Sequence, residues 1–167
     1  CAFHSPVVAG ASGALDAYLS TLSLRSPNLP VWSNTIAEPY PESPAAIRTL
    51  LARHVAEPVR FAEQIQNMYD AGARVFVEVG PGRVLTGLVG QTLGDQAHVA
   101  VPCSADGRGH IADLLATLGQ LAVHGISLRT DALFEARSVT GLDLSASSTL
   151  SPTTWLVNGH VSWPASE

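Results

Sequence analysis

The chain has 167 residues, with nine Arg, no Lys, fourteen acidic residues and a formal net charge of −5. The missing lysine excludes a P-loop, Schiff-base or pyridoxal-phosphate lysine, and the acidic balance argues against a nucleic-acid footprint. With 46% apolar and 14% charged residues the chain suits one domain with a real core, while no apolar run approaches the roughly 20 residues of a membrane span.

Nothing at the start reads as a signal peptide. Two cysteines, Cys1 and Cys103, allow neither a disulfide framework nor a paired-cysteine metal knuckle, so the cytoplasm is the simplest compartment. The opening CAFHSPVV reads as the end of a strand, and so abrupt a hydrophobic start suggests a fragment of a longer polypeptide. Val7 to Leu22 carries apolar residues at near-helical spacing. Ser26-Pro27-Asn28 is turn chemistry, and Leu29 to Thr35 reads as a short strand.

Ser43-Pro44 starts a helix, with a capping hydroxyl and then a proline in the first turn, where its missing N–H costs nothing. That helix runs to about Ala56, ahead of Pro58. Another spans about Arg60 to Ala71 and ends at Gly72, suited to a left-handed terminus. Arg74 to Val79 is a buried strand, Arg83 to Leu93 a helix, His98 to Pro102 a strand and Ile111 to His124 an amphipathic helix. This alternation with glycine turns predicts an α/β fold with a mostly parallel sheet. Ser138 to Thr154 is rich in Ser and Thr and reads as a linker, with an apolar far end at Trp155, Leu156, Val157 and Trp163.

The turn from Gly80 to Gly87 sits where a dinucleotide loop would sit. It lacks the G-x-G-x-x-G spacing, and Glu78 would repel a phosphate, so a close strand-to-helix packing turn is the better reading. No G-x-S-x-G elbow is present, so no serine nucleophile can be named. The six histidines show no metal-ligand spacing with Cys or Asp, and taken singly each reads as a surface or core residue.

Taken in order, several motifs change that picture. They are Ala-Phe-His-Ser-Pro (2–6), Pro-Val-Trp-Ser-Asn (30–34), Glu-Pro-Val-Arg-Phe (57–61), Phe-Val-Glu-Val-Gly-Pro-Gly (76–82) and Leu-Thr-Gly (85–87). Together they resemble the C-terminal half of acyltransferase domains of polyketide synthases and of malonyl-CoA:acyl-carrier-protein transacylases. The resemblance covers about residues 1–125. Cys-Ala-Phe-His at the start, Arg53-His54-Val55, and Thr-Thr-Trp-Leu-Val-Asn-Gly at 153–159 look most like iterative synthases of the enediyne type.

The resemblance implies a serine that takes a malonyl group from coenzyme A and passes it to the phosphopantetheine thiol of an acyl carrier protein. That serine, the oxyanion donors and the carboxylate-binding arginine belong to the N-terminal half of the domain. His4 matches the catalytic histidine, which moves the serine and thiol protons. His54 matches a position where the family commonly has Gln, and whose backbone carbonyl orients the histidine in place of an aspartate. Phe3 matches a position tied to extender-unit choice, where a bulky ring favours malonyl over its α-methyl homologue.

The expected fold is therefore the α/β-hydrolase-like large subdomain of an acyltransferase. Residues 1–126 would be the C-terminal part of that domain and residues 127–167 the linker that follows it. The expected partners are the acyl carrier protein, malonyl-CoA, the N-terminal half of the same domain and adjacent synthase domains, with no nucleic acid and no membrane. No metal or nucleotide cofactor is expected. Two rivals stand beside this reading: a docking segment without chemistry, and a related hydrolase that passes acyl groups to water.

Overall fold

Pro6 opens a short 3-10 turn, Pro6–Val8, and helix α1, Ala11–Leu19, follows. The single helix expected over Val7 to Leu22 is thus interrupted, since Gly10 is a poor residue for carrying a helix through. At the far end the Ser20 and Thr21 hydroxyls turn back onto the Ala17 and Tyr18 carbonyls at 2.6 and 2.7 Å, and the helix stops. This computed structural model describes residues 3–104, 111–139, 141, 143, 145, 151 and 153–164. The chain divides into two compact units, Cys1–Ser127 and Leu128–Glu167.

In the first unit, strand β1 (Trp32–Ser33) pairs antiparallel with β2 (Glu38–Pro39). The expected strand from Leu29 to Thr35 is shorter because the chain reverses after Ser33. Ala37 adopts a φ of 57°, and its N–H donates to the Ser33 carbonyl at 2.8 Å. Helix α2 (Pro44–His54) begins as expected, with Ser43 as its N-cap, and buries Ile47, Leu50 and Ala52. The Arg48 Nε–H reaches Asp16 Oδ1 at 3.1 Å and ties α2 to α1.

Helix α3 (Phe61–Asp70) ends at Gly72, whose φ of 106° is the left-handed terminus the sequence predicts. Strands β3 (Val75–Glu78) and β4 (Val99–Pro102) pair in parallel from Val75 opposite Val99 to Glu78 opposite Pro102. Helix α4 (Val84–Leu93) makes the crossover between them, so the α/β reading holds. The core forms where these elements meet: Ile65, Val89 and Leu93 are buried, with Phe61, Met68, Tyr69, Phe76 and Ala100 packed around them. Helix α5 (Ile111–Val123) is fastened to β4 by the Thr117 hydroxyl, which donates to the Pro102 carbonyl at 2.8 Å.

In the second unit a 3-10 turn, Thr130–Phe134, precedes a hairpin of β5 (Trp155–Val157) and β6 (Ser162–Pro164). The sequence reading did not anticipate this hairpin, although Asn158-Gly159 is a hairpin-turn signal. The Asn158 side-chain oxygen accepts the His160 and Val161 N–H groups, each at 2.9 Å, and closes the turn. Much of the Ser138–Thr154 stretch read as a linker lies outside the described residues.

Candidate active site

The site is built on the end of a helix. Four carbonyls at a helix C-terminus have no partner within the helix, and α2 ends at His54, a few residues ahead of Pro58. Two carbonyls at that end are taken by one residue from far away in the chain. The His4 backbone N–H donates to the Val55 carbonyl at 2.8 Å, and His4 Nδ1 lies 2.9 Å from the His54 carbonyl oxygen.

A carbonyl oxygen only accepts, so this contact requires the proton of a neutral His4 to sit on Nδ1. The Nε2 lone pair is then left free to take a proton from another group. His4 is exposed, and its φ of 61° is the left-handed region that a non-glycine residue seldom adopts. Such strain persists where the surroundings over-determine it, here through the two hydrogen bonds to the α2 end. Cys1 and Ala2 lie outside the described residues, and Phe3 and His4 stand in a turn rather than a strand. Phe3 is 58% exposed, so it is no core residue in this chain.

His54 contributes more than its carbonyl. Its ring sits 4.8 Å from the His4 ring, centroid to centroid, tilted by 54°. Its Nδ1 lies 2.9 Å from the hydroxyl of Thr35, a buried residue just after β1. Burial lowers the His54 pKa below the ordinary histidine value, and the charge of His4 lowers it further. Sequence reasoning missed Thr35 and the Val55 carbonyl. One contact spans 19 residues and the other is a backbone contact, and neither leaves a local pattern.

The glycine turn after β3 corrects one expectation and explains another. Among the described residues a Cβ added at Gly80, Gly82 or Gly87 would meet nothing within 4 Å, so close packing against the described strand and helix is not what these glycines serve. Gly82 is needed for its φ of 84° instead. Glu78 does more than repel a phosphate, because it occupies the phosphate's place. Its carboxylate accepts the Leu85 N–H at 3.1 Å, and the Thr86 N–H and hydroxyl at 2.7 Å each, at the start of α4.

No protein-family model matches the chain. A polyunsaturated fatty acid synthase of Thraustochytrium sp. is 37% identical over 132 residues, which is 77% of this chain and 5% of that protein. The solved acyltransferase domain from the second module of the salinomycin polyketide synthase superposes with a TM-score of 0.73 at 30% identity, covering 85% of this chain and 33% of that one. In sequence and in fold the chain is similar to acyltransferase domains and to malonyl CoA-acyl carrier protein transacylases. Malonyl CoA-acyl carrier protein transacylase of Bacillus subtilis is a further relative, 37% identical over 87 residues, or 52% of this chain and 27% of that enzyme. The chain thus spans a third or less of each of these three proteins. Among its described residues no helix is long and apolar enough to cross a membrane.

Proposed function

We propose that this chain carries the histidine base of an acyltransferase that moves a malonyl group from coenzyme A to the phosphopantetheine thiol of an acyl carrier protein, through a seryl ester, in polyketide assembly. The observation that carries the reading is the 2.9 Å contact of His4 Nδ1 with the His54 carbonyl. With Nδ1 protonated, Nε2 takes the serine proton as the ester forms and gives it to the departing coenzyme A thiol. It then takes the proton of the incoming carrier thiol and returns it to serine. Orientation by a carbonyl in place of a carboxylate makes this a dyad.

The relatives' own names support malonyl-CoA and a carrier protein as the reactants, and transfer over hydrolysis or docking without chemistry. The serine, its oxyanion donors and the malonyl-binding cation are assigned to the N-terminal half of the domain, and residues 127–167 to the linker after it. Phe3, beside His4, is assigned to extender-unit choice. The motifs at 53–55 and 153–159 support an iterative, enediyne-type synthase, and the unpaired thiol of Cys103 suits the cytoplasm.

The test is malonyl loading of the complete acyltransferase, followed by mass spectrometry of the intact protein. His4→Ala should lower the loading rate by about two to four orders of magnitude, the span for losing general acid–base help. Near-normal loading of a folded His4→Ala variant would overturn the assignment.

A further inference from the structure

The mechanism above uses the His54 carbonyl and leaves its side chain without a task. That side chain is a liability. It places a second imidazole 4.8 Å from the His4 ring, and in every half-reaction His4 must become positively charged. A second positive charge at that distance would oppose proton uptake by His4.

We propose that Thr35 is a positioning residue for the transfer reaction, acting through His54: its hydroxyl donates to His54 Nδ1 and holds that imidazole as the neutral tautomer protonated at Nε2, so that His4 alone takes up charge. The inference rests on the reading of His4 as the base. Thr35 is suited to the task because it is 7% exposed and held in place, its own N–H bonded to the Ser33 hydroxyl at 3.2 Å. The 2.9 Å separation of Thr35 Oγ1 and His54 Nδ1 is that of a well-formed hydrogen bond.

Glu38 on β2 is exposed, and three arginines of the neighbouring segments are engaged with carboxylates. Arg53 pairs with Glu57 at 3.1 Å, Arg60 with Glu63 at 2.8 Å, and Arg48 with Asp16 at 3.1 Å. His4 is the titratable group whose ring faces His54. The lowered His54 pKa, set first by burial and then by His4, points the same way.

The experiment compares the pH–rate profiles of malonyl loading for the complete acyltransferase and its Thr35→Val variant, which keeps the shape and removes the hydroxyl. Thr35→Val should lose about fivefold to tenfold more activity at pH 6 than at pH 8, the worth of one neutral hydrogen bond. Thr35→Ser should restore the wild-type profile. In a His54→Gln background, the extra loss at pH 6 on removing the Thr35 hydroxyl should vanish. A Thr35→Val profile parallel to wild type, or the same pH-dependent loss in the His54→Gln background, would overturn the proposal. Nitrogen NMR of histidine-labelled wild-type protein gives a reading that needs neither a folded variant nor activity. His54 should be neutral with its proton on Nε2 at pH 6.5; a proton on Nδ1 would overturn the proposal. If the wild-type protein does not load malonyl, the reading of His4 falls, while the NMR result still decides the state of His54.

Discussion

Glu78, the last residue of β3, holds Thr86 of α4 by two contacts, accepting both its N–H and its hydroxyl at 2.7 Å. A carboxylate at this point satisfies donors that the first turn of a helix leaves unpaired and faces the positive end of the helix dipole. The Thr86 hydroxyl and N–H and the Leu85 N–H lower the Glu78 pKa, against a smaller opposing effect of burial.

The sign of the pH effect follows. A group whose pKa is lower in the folded than in the unfolded protein stabilises the fold above its unfolded pKa. That contribution is lost as pH falls through the lowered value. Glu78→Gln should therefore lower the thermal midpoint of the complete protein at pH 7. The gap to wild type should narrow below the ordinary glutamate range. Melting curves at pH 7 and pH 3.5 check this, and an equal gap at both would refute the cap.

His54 divides backbone from side chain. If the carbonyl orients His4 and the imidazole must merely stay neutral, His54→Gln and His54→Ala should each keep most of the loading rate. A loss matching that of His4→Ala, in a variant shown to be folded by circular dichroism, would make the His54 imidazole a proton carrier and end the dyad reading.

Phe3 sits beside His4 and is exposed in this chain. If its ring fills the space an α-methyl group needs, Phe3→Ser should shift the competition between methylmalonyl-CoA and malonyl-CoA toward methylmalonyl by about tenfold, since one methylene-sized clash is worth about 1–3 kcal/mol. An unchanged ratio in a mixed-substrate loading assay would remove Phe3 from substrate choice.

Arg48 and Asp16 join α2 to α1, but with side chains 36% and 42% exposed they remain in contact with water. A double-mutant cycle with Arg48→Met and Asp16→Asn should give a coupling of about 0.2–1 kcal/mol, shrinking with added salt. A coupling above that range, unaffected by about 0.5 M salt, which shortens the Debye length to about 4 Å, would mean the pair is shielded from water in the complete domain.

The elements with strong local signals were legible in the sequence. Ser43-Pro44 marks the start of α2, Gly72 the end of α3, and the apolar runs at 75–77 and 99–102 the parallel pair. Each rests on chemistry within a few residues: a capping side chain, a left-handed φ, an apolar run too short for a helix. Residues close in sequence also betray the break before α1 at Gly10 and the Asn158-Gly159 hairpin, but their signals compete with an apolar periodicity and a Ser/Thr-rich composition that read otherwise. The ordered motifs named His4, Phe3 and His54 through likeness to a family; composition alone treats each histidine as ordinary.

What only the tertiary structure decided is how those residues meet. The contact of His4 with the end of α2 spans 50 residues, and it uses carbonyls, which every residue carries and no sequence pattern marks. Thr35 reaches His54 because the reversal after β1 brings the two together, a matter of packing and not of periodicity. Local chemistry determines where a helix stops and which carbonyls it leaves free. Which distant side chain takes them depends on the burial that folds the whole chain, and that is a property of no single segment.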